Sequence, residues 1–319
     1  MSLENNRVNL PELAPGLHVA RLQVASPRSA LRRSKLLAVF LGLLLLGGST
    51  ARLAALEQPA RLKLTRSGNL LTISGDQLPG PVTINYIEAY VRPGSTDRVW
   101  RAESVIDHRS EVVTTSADGS LVKLRDTLAD GVVVEHSITA SYDEVDFRVV
   151  AHNPTDTESR AHWAQPCVRV DRFTGCDKSD ALTLVPAYAR QCFLFLDGKL
   201  TRLPTEPWAT QARYTPGQVY CPAQVDRNDV NPRPLSPLVP SNGLCGAYSS
   251  DGRQILAIAW EPYQEIFQGV VACMHNDFRI GGLKPGETKI IRGKIYVTAA
   301  DEKKLLERFE RDFPEQAVK

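Results

Sequence analysis

This chain has no glycine-rich loop of the kind that cradles phosphates and no His-Glu-x-x-His zinc pair. It also lacks a Gly-x-Ser-x-Gly nucleophile turn and a calcium-binding acidic loop. No two cysteines stand in the Cys-x-x-Cys spacing of zinc ribbons or thioredoxin-like sites. These absences leave no sequence ground for a bound metal or cofactor. An excess of one charge is missing too: the net charge is +2, and Arg28, Arg32, Arg33 and Lys35 crowd near the N-terminus. Phosphate-backbone binding needs a concentrated basic face, so nucleic acid is not an expected partner.

What is present begins with a leader. Arg32-Arg33-Ser34-Lys35 runs into the apolar stretch Leu36–Leu46, followed by Gly47-Gly48-Ser49-Thr50-Ala51. A basic flank, a short apolar core and small residues are the parts of a secretory signal. The apolar core, 36–48 at its widest, is shorter than the roughly 20 residues a spanning helix needs. Residues 1–55 are therefore expected to be a leader, cleaved after Ala51 or Ala55 or else kept as a membrane anchor. No cysteine follows the apolar stretch, which excludes a lipid anchor there. The expected location is periplasmic or secreted, and any membrane contact would run through an uncleaved leader.

The chain of 319 residues, 43% hydrophobic and 23% charged, can bury a substantial core. All six cysteines (167, 176, 192, 221, 245 and 273) lie in its second half. In an oxidising compartment an even number implies up to three disulfides, the alternative being buried thiols.

From about Leu62, short runs rich in β-branched residues alternate with turn signals. Leu70–Ser74, Val82–Ile87, Val112–Thr115, Leu121–Leu124, Val132–Thr139 and Val145–Val150 read as strands, with Asp118-Gly119, Asp130-Gly131, Asp197-Gly198 and Asp251-Gly252 as turns. In Val145–Val149 apolar and charged residues alternate, which implies one buried face. Residues 203–243 carry eight prolines and cannot form central strands. They read as an irregular excursion ordered through Cys221 and Cys245, either shaping a binding site or serving as a plain insertion. Strands resume at Ile255–Trp260 and Val270–Cys273 and end with Lys289–Val297. Thr298-Ala299-Ala300-Asp301 then fits a helix-capping pattern, and Leu305, Leu306, Phe309 and Phe313 share one helical face. The expected fold is all-β: a single large antiparallel β-sandwich over 56–319 with a short C-terminal helix.

Two segments could carry chemistry. The first runs from Val149 through His152-Asn153-Pro154 to His162-Trp163-Ala164-Gln165-Pro166. The second is Ala257–Gln264, where an apolar strand delivers Glu261 just before Pro262. A carboxylate at the end of an apolar strand costs free energy unless it is paired or has a task. Trp163, Trp260 and Tyr263 could cover the C–H face of a pyranose, while Gln165, Arg169 and Gln264 bond its hydroxyls. The polar string Met274-His275-Asn276-Asp277-Phe278 could line the same cleft through His275, or form a turn.

His162-Trp163, Glu261-Pro262 and Leu283-Lys284-Pro285-Gly286-Glu287, in that order, resemble the second half of the galactose-mutarotase (aldose epimerase) family; the chain is otherwise similar to secreted bacterial proteins of uncharacterised role. The resemblance implies a β-supersandwich and a carbohydrate ligand. It implies that His162 is a general acid protonating the sugar ring oxygen, and that Glu261 is the base removing the anomeric proton. The chain departs from that family in lacking its N-terminal Gly-Arg-x-x-Asn-Arg pattern. The alternative is therefore a non-catalytic glycan-binding or cell-envelope scaffold protein.

Overall fold

A computed structural model describes residues 60–94, 99–176, 186–205, 218–230, 235–269 and 271–317. The leader at 1–55, with its apolar core, lies outside the described residues, as do parts of the proline-rich excursion (206–217 and 231–234). Among the described residues no helix is long and apolar enough to cross a membrane.

The alternating segments become strands whose buried positions are every second residue. β7 (Leu121–Leu128), β8 (Val133–Ala140) and β9 (Glu144–His152) turn Val122, Leu124, Val134, Ile138, Val145, Phe147 and Val149 inward. They belong to a nine-stranded antiparallel sheet with β6 (His108–Thr115), β12 (Cys192–Leu196), β13 (Lys199–Arg202), β15 (Leu244–Tyr248), β16 (Gln254–Glu261) and β19 (Thr288–Ala299). Its order is β13-β12-β15-β16-β19-β9-β8-β7-β6.

The second, ten-stranded sheet has the order β1-β2-β3-β11-β18-β10-β4-β5. These strands are β1 (Lys63–Ser67), β2 (Leu70–Ser74), β3 (Val82–Asn85), β4 (Tyr90–Val91), β5 (Val105–Ile106), β10 (Trp163–Ala164), β11 (Cys167–Arg169) and β18 (Cys273–Arg279). β17 (Tyr263–Gly269) also pairs with β18 and carries the two-residue β14 (Val219–Tyr220). The expected antiparallel sandwich is thus what the chain forms.

One continuous apolar core fills the space between the sheets. Leu71, Ile73, Ile84, Val168, Met274 and Phe278 from the ten-stranded sheet meet Leu124, Val134, Phe147, Ile258, Trp260, Ile291 and Ile295 from the other. Each fully buried aliphatic or aromatic side chain contributes about 1.5–3 kcal/mol relative to an exposed one. Trp260 lies between Phe147 and Phe278, with ring centroids 5.2 and 4.8 Å away. It fits because residue 293 on the neighbouring strand is glycine; a Cβ there would overlap the indole.

The core also holds a polar network. Tyr90 Oη donates to Asp126 Oδ2 at 2.7 Å, and the His136 ring bonds Tyr86 Oη (2.9 Å) and Asp126 Oδ2 (3.2 Å). His136 is the satisfied strand histidine its position in β8 leads one to expect.

On the outer face of the nine-stranded sheet lies the C-terminal helix (Glu302–Asp312). The Asp301 side chain caps it by accepting from the Lys304 amide at 3.1 Å. Leu305, Phe309 and Phe313 pack on Phe193, Tyr248, Ile255 and Tyr296.

The cysteines depart from the disulfide expectation. All six are buried and none is in a disulfide. Cys192 and Cys245 sit on neighbouring strands but two residue pairs out of step: Cys192 faces Ala247, and Cys245 faces Leu194. Cys245 is therefore a sheet residue and not a tether for the excursion.

Candidate functional site

β18 organises the candidate site. Along it Met274, Asn276 and Phe278 point into the intersheet layer, so Cys273, His275, Asp277 and Arg279 share the opposite, outer face. The string Met274–Phe278 is a central strand and not a turn. Two neighbours extend this polar face. Cys167 of β11 stands opposite His275, and on β17 Glu265 and Phe267 stand opposite Asp277 and His275. Much of the face is covered by the proline-rich excursion, whose Val219, Cys221, Val225 and Val230 pack on Phe267.

The excursion also delivers Asp229. Its carboxylate accepts from His162 Nδ1 at 2.9 Å, from Arg279 Nη1 at 3.2 Å and from the Gly94 amide at 3.1 Å. A carboxylate this buried needs such donors to offset its lost hydration. Gln264, also buried, bonds the Arg279 guanidinium through its carbonyl and the Asp229 backbone carbonyl through its amide. His162 and Arg279 remain about a quarter exposed, with side-chain accessibilities of 23% and 24%.

The turn from Leu283 to Glu287 supports this corner. Gly286 takes a positive φ of 73°, and its amide donates to the Asn153 carbonyl at 2.8 Å. The Asn153 side chain bonds the Leu283 carbonyl at 3.0 Å, and Ser159 bridges Leu283. The His162 carbonyl accepts from the Ile280 and Gly281 amides, both at 2.8 Å. Gly282 leaves the far side of the ring open, since a Cβ there would lie 3.3 Å from His162 Nε2.

A second group adjoins the first through β18. Asp277 takes the Gln165 amide at 2.9 Å and faces His275 Nδ1 at 3.2 Å. Burial pushes the Asp277 carboxyl above the usual carboxylate range, against the opposing pull of His275 and Gln165. Phe267 stacks on His275 with ring centroids 4.3 Å apart. Glu88, whose side chain is 43% exposed, places Oε2 3.7 Å from His275 Nε2. Glu88 also lines an open cleft of about 420 Å³ with Arg66, Asn69, Asp107, His108 and Ser110.

The remaining candidates lie elsewhere. Glu261 ends β16 in the other sheet, opposite Arg292, and its carboxylate bonds the Gln316 amide. Burial raises its pKa, with Gln316 pulling the other way. Trp163 is wholly buried with Ala89, Val91 and Val105, against a partly exposed Trp100. Trp260 and Tyr263 belong to the intersheet core, and Arg169 lines a separate groove with Thr72, Thr83 and Asp171. The structure thus joins His162 to Gln264 through Asp229 and Arg279, and Gln165 to His275 through Asp277. Asp229 and Glu88 carry no signal in the sequence, and Asp277 only the polarity of the Met274–Phe278 string. Asp229 sits among prolines, Glu88 lies in the loop between β3 and β4, and Asp277 acquires its role by facing Gln165 and His275.

No protein-family model matches the chain, and no curated protein matches it in sequence. Solved structures do resemble it at low similarity. A putative aldose 1-epimerase from Escherichia coli K12 shares 11% identity over 75% of this chain and 99% of its own, with a TM-score of 0.39. A protein from Synechocystis sp. PCC 6803 shares 10% over 76% and 96% of the two chains, with a TM-score of 0.40. A galactose mutarotase-like protein from Lactobacillus casei shares 8% over 74% and 99%, with a TM-score of 0.36.

Proposed function

We propose that this chain is an exported carbohydrate-binding domain whose ligand docks where His162, Asp229 and Arg279 meet at the outer face of the ten-stranded sheet. The observation that carries the reading is Asp229 holding both His162 and Arg279 in place while each keeps part of its surface open. Sugar hydroxyls both donate and accept. A guanidinium fork, an imidazole nitrogen and a carboxylate side by side offer both kinds of partner in fixed positions. The order of His162-Trp163, Glu261-Pro262 and the Leu283–Glu287 turn supports a sugar as the ligand class. The basic–apolar–small leader supports export.

A catalytic reading draws on one feature. With Nδ1 engaged by Asp229, His162 has Nε2 as its proton-transfer nitrogen, which is what a general acid at a ring oxygen requires. The base role that the resemblance gives to Glu261 is served less well, because that carboxylate is held by Gln316 at the end of a strand of the other sheet. Binding without anomer interconversion is therefore the preferred function.

Polarimetry separates the two readings. Freshly dissolved aldoses should equilibrate at the uncatalysed rate with wild-type protein, even where the same sugars bind saturably. Acceleration lost in both His162→Asn and Glu261→Gln would overturn the binding-only reading in favour of the acid–base one.

A further inference from the structure

Cys167, Cys273 and His275 each offer a donor atom, and the three atoms lie within 4.8 Å of one another on the buried outer face of the ten-stranded sheet. We propose that they bind a thiophilic divalent cation, zinc above all, independently of any sugar.

The register favours a metal over a cross-link. Cys167 stands opposite His275, while Cys273 stands opposite Arg169, so the two cysteines are diagonal neighbours. Diagonal residues on paired strands have Cα atoms about 7–8 Å apart. Disulfides usually need about 4.4–6.8 Å. A tetrahedral zinc with Zn–S bonds of about 2.3 Å instead holds two sulfurs nearly 4 Å apart, within reach of a diagonal pair.

Three further features prepare the site. Residue 269, opposite Cys273 on β17, is glycine; a Cβ there would overlap Cys273 Sγ and lie 3.7 Å from His275 Nε2. Any larger residue would fill the space in which the donors converge. Asp277 Oδ1 sits 3.2 Å from His275 Nδ1, so an Nδ1–H directed at this carboxylate leaves Nε2 as the ligand nitrogen. A carboxylate behind the imidazole is the usual outer partner of a metal-binding histidine. The stacked Phe267 ring fixes the imidazole plane.

Glu88 stands nearest to the open fourth position. Its Oε2 is 3.7 Å from His275 Nε2 but outside the cluster of the other three donors, so its half-exposed side chain would swing in from the rim of the 420 Å³ cleft to complete the set. A Cys₂-His-Glu set is a zinc-type donor set of thiolates, an imidazole and one carboxylate. No sequence spacing betrays it, because the ligands come from two strands and the loop between β3 and β4 and lie at positions 88, 167, 273 and 275.

The test uses the full chain, purified under reducing conditions, stripped with a chelator and titrated with Co²⁺ and then Zn²⁺. One equivalent of Co²⁺ per chain should produce thiolate-to-cobalt charge-transfer absorption and the intense visible bands of a tetrahedral site, both abolished by one equivalent of Zn²⁺. The bands should vanish in Cys167→Ser and Cys273→Ser and persist in Cys192→Ser. Glu88→Gln, a change at a half-exposed side chain that leaves the core intact, should shift the visible bands while keeping the charge transfer. If the cysteine variants do not fold, the wild-type titration and Glu88→Gln decide alone. A folded wild-type chain that gives no cobalt–thiolate bands overturns the proposal. So does a Cys167–Cys273 disulfide found by mass spectrometry in protein isolated without reductant.

Discussion

His162 and Asp229 are 67 positions apart in the chain, yet His162 Nδ1 lies 2.9 Å from Asp229 Oδ2. That contact fastens the proline-rich excursion to the corner of the sandwich and orients the imidazole. Arg279 binds the same carboxylate oxygen, so one side chain organises two others.

Replacing Asp229 with alanine should therefore do more than remove a ligand group. It leaves a partly buried guanidinium and imidazole without their acceptor, which costs about 1–3 kcal/mol. Urea denaturation should show that loss. Asp229→Asn should cost less stability while still disturbing the orientation of His162.

The packing of Trp260 against Gly293 makes a second prediction. Gly293→Ala should destabilise the fold, because its Cβ would overlap the indole. Trp260→Ala should cost about 3–5 kcal/mol. The double variant should be more stable than the sum of the two losses implies, since removing the indole makes room for the new methyl. Chemical denaturation of all four proteins checks this.

Acid stability should depend on Asp126. Burial works against its charge, but bonds from His136, Ser110 and Tyr90 outweigh it and hold the carboxyl at a pKa of about 2. A pKa below the unfolded value of about 3.9 means that the stabilisation is present above pH 4 and lost as pH falls toward 2. The effect amounts to about 2 kcal/mol. Denaturation midpoints between pH 6 and pH 2.5 should fall less steeply in Asp126→Asn than in the wild type, from a lower starting stability.

With six buried cysteines and no disulfide, thiol reagents should modify the native chain slowly and label all six positions only after unfolding. Reductant should leave the melting temperature unchanged. A drop on reduction would show that the chain carries a cross-link and would contradict this reading.

How much of this was legible in the sequence follows from where side chains are satisfied. β7, β8 and β9 have one wet and one dry face, so Leu121–Leu128 and Glu144–His152 wrote their period into the chain. The face of the C-terminal helix and the Leu283–Glu287 turn were equally local. β17 and β18 were not, because both their faces are covered. Gln264, Gln268, His275, Asn276 and Asp277 look like surface residues in sequence, but each is buried with a partner from another strand or loop. Strand Tyr263–Gly269 was missed for that reason, and the strand expected at Val270–Cys273 meets β18 only at Cys273: residues 271 and 272 form the turn before it, and Val270 lies outside the described residues. Trp163 and Trp260 suggested sugar platforms because an aromatic beside polar residues reads the same whether its ring is exposed or packed. Asp229 was hidden among prolines, where no periodicity assigns a side chain to a face.

The most direct test of the proposed function is a glycan-array screen of the protein, followed by calorimetric titration of the best sugar into wild type, Asp229→Asn and Arg279→Ala. Saturable wild-type binding, weakened at least tenfold in both variants while their folds persist, is the predicted result. Folded wild-type protein that binds no glycan, or variants that bind as tightly as wild type, would contradict a carbohydrate site at His162, Asp229 and Arg279.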